Sequence, residues 1–389
     1  MPSASALTNL PDVIMDADRN MILGDLENLV FPFFDLVFPR SAVELMVENT
    51  NENHDFCTKE FMNKDEAEAA GQTERHRAKT SRFGFTVVPE GGFQLHHAYG
   101  AMGIGVSMRL KKFMRMLLHW DTSENYDFPP IRRCMTQDFI FQFYSRLLHL
   151  ASPAAPKRGT DGYHSLLHVR EFENILNAAW SSAMVVGKWN SFDEQMIRWA
   201  ALYAHSLQRY SKDKPIKHGV KSWALCCSSG YCFVTCVDGV FAGDIRLAQW
   251  ASCPLGRTTR MVPFVSLISC TALGDQLKGS EVHIAMDNYF TSPLLSGCLT
   301  VHNIYAVGTL RRNRAGVSGA LKTWEADPSV SVKARGDMAF LVWEGKTTKI
   351  ALTLWIDQND ILFLSSAHVF LEDTFPQEYT KFAKGEGGG

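Results

Sequence analysis

Two carboxylates in this sequence stand on strand-like text, one within a strand and the other at a strand end. Asp193 lies within NSFDEQMI, and Asp287 follows the run VHIAM and opens DNYFTS. Hard divalent cations favour such a pair, because they take carboxylate oxygens and keep water or phosphate in their remaining positions. The plainer alternative is that one acid caps a helix or pairs with a nearby arginine, and spacing alone leaves both open. Two groups of cations could serve the same chemistry. Arg209, Lys212, Lys214, Lys217 and Lys221 are set against Asp213 alone, with Tyr210 available for stacking, and Arg311, Arg312 and Arg314 follow a second strand end. Such clusters suit phosphate binding without base reading, against the alternative of a solvated loop. Cys226, Cys227, Cys232 and Cys236 have the look of a metal cluster. On a hairpin alternate residues face opposite sides, so four convergent thiolates are not expected, packing is favoured, and no zinc is anticipated. His96 and His97 are expected to diverge on a helix, and Trp343 and Trp355 read as core aromatics.

The elements that must hold these residues follow from periodicity. In the first half the pattern is helical. A cap at Ser41 opens apolar spacing of three and four that Asn49, Thr50 and Asn51 close, and a polar excursion spans Asp55 to Gly91. One amphipathic stretch covers His96 to His119, a helix opens at Thr136 and runs through Leu148, and a third spans Glu171 to Met184. The second half changes period. A strand around Ser191 to Ile197 precedes two more, Lys221 to Ser229 and Tyr231 to Asp238, turning at Gly230. Helical spacing at 262–277, a strand at Val282 to Met286, a helix at 293–302 and a strand at Tyr305 to Leu310 complete the order βββαβαβ. An antiparallel start followed by βαβ crossovers implies a mixed sheet with helices on its faces. Three further strands, Met338 to Trp343, Lys349 to Trp355 and Ile361 to Ser365, follow with no helix between them.

Composition narrows the classes. With 46% apolar and 21% charged residues over 389 positions, the chain can bury sizeable cores and is not disordered in bulk. Thirty-nine basic against 41 acidic residues make any polyanion binding regional. The apolar run Met261 to Gly274 is shorter than the roughly 20 residues needed to span a bilayer, so no membrane partner is expected. The first twenty residues lack a basic and an apolar region in signal-peptide order, and the nine cysteines are expected to stay reduced.

SFDEQM at 191–196, KDKPIKHGVKSW at 212–223, SSGY at 228–231, AMDNYFTSPLL at 285–295 and VGTLRRNRAG at 307–316 together resemble the piggyBac transposase family, in order and in spacing. The resemblance continues through ARGD at 334–337 and LWIDQNDILFLSSAH at 354–368, with fainter echoes in VENTN at 47–51 and MTQDF at 135–139. It implies an α/β fold: a ribonuclease-H-like mixed five-strand core at 186–315, a mainly helical domain at 31–185 after a leader at 1–30, and a β-rich insertion at 316–389. It implies a triad of aspartates holding two divalent metals, Mg²⁺ or Mn²⁺, that cut and join DNA. Asp193 and Asp287 match the first two, with Glu194 and Asn288 in support. The third belongs to a glycine-valine-aspartate motif absent from these residues, and the surroundings of Glu372 and Asp373 do not match it. Trp199 to Leu202 stand where the family has a Gly-Arg pair, and the family's cysteine-rich zinc module is missing. The expectation is a transposon-derived protein that binds DNA weakly through phosphates and does not cut it. The alternative is a fragment of an active transposase. A homodimer and a nuclear, otherwise cytoplasmic, location are implied by the resemblance alone.

Overall fold

The computed structural model describes residues 34–69, 91–126, 128–144, 148–157, 159–198, 207–212, 214–237, 274, 276–277, 281–314, 317–326, 334–344 and 349–367. The leader, the rest of the polar excursion, the Trp199 to Leu202 departure, nearly all of the 262–277 helix, and Glu372 and Asp373 lie outside them. The chain divides into two compact units, Met1–Met184 with Ala200–Gln208, and Val185–Trp199 with Arg209–Gly389. No helix among the described residues is long and apolar enough to cross a membrane.

The first unit is helical. Helix α1 runs Arg40–Ala69 and does not stop at Asn49 to Asn51. The polar side chains expected to end it find tertiary partners instead. Asn51 donates from Nδ2 to the Phe93 carbonyl at 2.9 Å and accepts from the Phe93 amide at 2.8 Å. Thr50 Oγ1 accepts from the His149 amide at 3.2 Å. Groups satisfied from outside do not compete for the helix's own backbone, so the first part of the polar excursion is helix. Helix α2 spans Leu95–Leu110, and a 3₁₀ turn follows at Met116–Trp120, splitting the single helix expected from His96 to His119. Buried His119 sits at the break, its ring nitrogens 3.0 and 2.9 Å from the carbonyls of Met116 and Lys111. Short helices α3, Pro129–Cys134, and α4, Gln137–Gln142, follow, the latter capped by Thr136. Phe93, Ala101, Ile104, Ile131, Ile140 and Phe143 close around them as one core. Helix α5, Leu167–Ala183, carries a buried ion pair, Arg170 to Glu173 at 2.6 Å.

The second unit is built on one sheet. Its strands are β1 Trp189–Arg198, β2 Gln208–Tyr210, β3 His218–Cys227, β4 Cys232–Val237, β5 Val282–Met286, β6 Ile304–Thr309, β7 Met338–Glu344, β8 Lys349–Ile356 and β9 Asp360–Ser365. They lie in the order β2-β3-β1-β5-β6-β9-β8-β7, with β4 on β3. β1 is antiparallel to β3 but parallel to β5, and β5 is parallel to β6. The sheet is therefore mixed, as the βββαβαβ pattern requires. Helix α6, Pro293–Thr300, supplies the crossover from β5 to β6, started by Ser292, whose hydroxyl accepts from the Leu295 amide at 3.2 Å. Phe192, Leu225, Val234, Ile284, Ile304 and Ala306 are buried within this sheet. Strands β7 to β9 extend the same sheet, because β9 pairs with β6 at Val307 to Thr309. A second core of Leu310, Leu321, Trp324, Leu352, Leu354 and Leu364 forms where helix α7, Ser318–Glu325, meets β8 and β9.

Candidate functional site

The ladder between β1 and β5 fixes where the two acids stand. Its last pair is Phe192 with Met286; Asp193 is the next residue on β1, and Asp287 is the first residue after β5. Phe192 and Met286 are buried while Asp193 and Asp287 are exposed, and in a pleated sheet successive residues alternate in face. Both acids thus follow the exposed Ser191 and Ala285 pair along one face, at the point where β5 leaves the sheet. Parallel β5 and β6 end here together, whereas β1 runs on to Arg198, where it lies beside the start of β3 at Gly219. The loop after β5 and the arginine segment after β6 therefore share one end of the sheet, and the turn before β3 lies further along β1.

Local bonds hold the Asp287 turn. Asp287 Oδ1 accepts from the Tyr289 amide at 2.9 Å, and its carbonyl accepts from Thr291 Oγ1 at 2.7 Å. Asp193 Oδ1 accepts from the Glu194 amide at 2.7 Å. Gly308 on β6 lies against this turn: a β-carbon there would stand 2.2 Å from the Met286 carbonyl oxygen and 2.4 Å from Thr291 Oγ1. The glycine of VGTLRRNR is thus required by close approach of the backbone that carries Asp287.

The cations divide by what they touch. Arg311 Nε donates to Asn288 Oδ1 at 2.9 Å, and Arg314 Nη2 donates to the carbonyls of Asn288 and of Tyr289, the latter at 2.8 Å. Arg312 pairs with Asp360 at 2.9 Å. Glu194, on the opposite face of β1 from Asp193, binds Lys221, with Lys214 at 3.6 Å. Lys221 Nζ also lies 4.3 Å from the centre of the Trp223 ring and 5.3 Å from that of Tyr289. Arg209, Lys212 and Lys217 stand exposed around the turn into β3. Sequence reasoning found the cations but not the brace that Arg311 and Arg314 make on the Asp287 turn, nor Glu194 as a competitor for two lysines. The signal for the brace was the sharing of one sheet end, which only topology reveals.

A family model described as Transposase IS4 matches residues 99–384, well over half of the chain. The chain belongs to the piggyBac-type transposase family. A solved structure, a cryo-EM structure of piggyBac transposase synaptic complex with hairpin DNA, is similar to it with a TM-score of 0.55 and 17% identity. The match covers 90% of this chain and 62% of that one, so this chain spans less than two thirds of that protein's length. The likeness shows the ribonuclease-H-like DDE fold. Transposases of this family use divalent metal ions.

Paired carboxylates on one face have the donor chemistry of a hard cation site, and no third His, Cys, Asp or Glu gathers with them among the described residues. His96 and His97 do not diverge. Their ring centres lie 3.9 Å apart, because His97 Nδ1 turns back to accept from the Gln94 amide at the start of α2. Trp343 is not a core residue: it is 59% exposed on β7, the last strand of the sheet. The RGD tripeptide forms the turn into β7, with Gly336 at φ 104° and Arg335 paired to Asp357 at 2.8 Å. Among the cysteines, Cys236 is buried, but Cys226 and Cys232 stand opposite each other across the hairpin.

Proposed function

We propose that this piggyBac-type chain binds DNA through its phosphates and does not by itself cut and join strands. The observation that carries the reading is the strand end: Asp193 and Asp287 each follow the paired Phe192 and Met286, Arg311 and Arg314 stand at the same end after β6, the lysine turn lies further along β1, and no third metal-binding side chain gathers with the acids among the described residues. Asp193 and Asp287 would hold a Mg²⁺ or Mn²⁺ ion, with Asn288 held by Arg311 rather than ligating. Such an ion supplies charge stabilisation at a phosphate when bound, and a site with two carboxylates leaves it mostly hydrated. The protein's own residues position the backbone of the nucleic acid. Exposed Arg209, Lys212 and Lys217 contact phosphates, joined by Lys214 and Lys221 where the phosphates displace them from Glu194.

The test combines binding and cleavage. Gel-shift titrations of the purified chain against duplexes of unrelated sequence are expected to give equal affinities. With four or five phosphate contacts, affinity should fall about 10²–10³-fold between 50 and 200 mM salt. Incubation with Mn²⁺ and DNA carrying the terminal repeats of the matching element is expected to leave both strands intact. Nicking that vanishes in Asp193→Ala or Asp287→Ala would instead establish the active-transposase reading.

A further inference from the structure

Cys226 on β3 and Cys232 on β4 are register partners in the antiparallel hairpin, with a register shift between Leu225 and Cys226. Directly opposed residues in an antiparallel pair have Cα atoms about 4.5–5.5 Å apart, inside the range of about 4.4–6.8 Å that a disulfide spans. The two side chains are within hydrogen-bonding reach of each other, and the Cys232 thiol also lies 3.4 Å from the Val234 carbonyl. Both residues are neither fully buried nor fully exposed, so a small oxidant can reach them. Cys227, the next residue, is occupied differently, its sulfur 2.8 Å from Ser229 Oγ.

We propose that Cys226 and Cys232 form a redox-active dithiol that low-molecular-weight disulfides oxidise to a cross-strand disulfide. Cys226 attacks first. Its thiol is lowered to about 7 by the hydrogen bond from Cys232, whose own thiol is pushed up by the same contact and by burial, so at neutral pH the anion sits on Cys226. The Cys226 thiolate displaces one thiolate from the small disulfide and forms a mixed disulfide. Cys232 then gives its proton to solvent and attacks Cys226 Sγ, releasing the second thiolate. Two thiols of the protein are oxidised, and one small disulfide is reduced to two thiols. Ser191 is the register partner of Cys226, and Asp193 that of Ala224, so the disulfide would close one pleat from Asp193 on the same face of the sheet. The turn that brings the two strands together is formed around Gly230, at φ 85°.

The probe is oxidised glutathione. The purified full chain is exposed to it at neutral pH, remaining thiols are alkylated, and chymotryptic cleavage after Tyr231 separates the two cysteines for mass mapping. The expected product is a crosslinked pair of peptides joining Cys226 to Cys232, reversed by dithiothreitol. Cys232→Ser should stop at glutathione bound to Cys226, whereas Cys134→Ser should crosslink as the parent does. In the reduced protein, iodoacetamide should modify Cys226 roughly tenfold faster than exposed Cys134 at pH 7, with a rate that rises through a midpoint near 7. A crosslink from Cys227 to Cys232, or Cys226 and Cys232 both remaining alkylatable after oxidation, would overturn the proposal.

Discussion

At position 308 a single methyl group would meet backbone rather than a yielding side chain, since its nearest neighbour is the Met286 carbonyl. Gly308→Ala is expected to lower stability by about 1–3 kcal/mol, the usual range for forcing extra volume into a packed site. Denaturant midpoints measure this. Gly319→Ala, on α7 with nothing within 4 Å of the added carbon, serves as the control and should be neutral or stabilising by about 0.5–1 kcal/mol. Displacing the Met286 carbonyl also moves Asp287, so Gly308→Ala should weaken Mn²⁺ binding as well. Calorimetry on the parent chain should show a weak site that disappears in Asp193→Ala. Equal titrations for the two proteins would show that the ion binds elsewhere.

At the scale of elements, β1 presents different chemistry on its two faces. Asp193 points with Ala224 to one side, while Glu194 pairs with Trp223 on the other, where it engages Lys214 and Lys221. Glu194→Gln removes their competitor. DNA binding in that variant should tighten, and its salt dependence should steepen by roughly one to two ions. An unchanged slope would mean that these lysines serve the fold alone, with Lys221 held by its carboxylate and the Trp223 and Tyr289 rings. Helix α5 offers a stability test in the other unit. Glu173→Ala would leave Arg170 buried without its carboxylate, an outcome expected to cost roughly 3–5 kcal/mol, against less than about 0.5 kcal/mol for exposed Glu171→Ala. Chemical denaturation of both variants decides it. These elements also show what could be read from sequence. Strand β5 was legible to the residue, because Val282 to Met286 is a short apolar run bounded by turn residues. The end of α1 was not, because Asn49 to Asn51 carry every local mark of a helix stop, and the partners that cancel it lie some forty and a hundred residues away, at Phe93 and His149.

Across the whole molecule, the family and the fold were legible because the motif pieces at β1, β5 and β6 are local in sequence. The end of the sheet at which those pieces meet was not spelled out in any one of them. It arises from the parallel relation of three strands, and the same relation has a consequence for synthesis on the ribosome. Trp189 to Phe192 pair with His283 to Met286, so at about 5–20 residues per second the central strand waits roughly 5–18 s for one neighbour to be made. During that interval the β1-β3-β4 meander has one long flank of unpaired amides and carbonyls, a template for pairing with another chain. Phe192 and Leu225, buried once the sheet is complete, are uncovered at the same time. Translation that stalls between residues 240 and 280 should therefore yield aggregating nascent chains, whereas a stall after β6 should not, and pelleting of arrested ribosome complexes would distinguish the two.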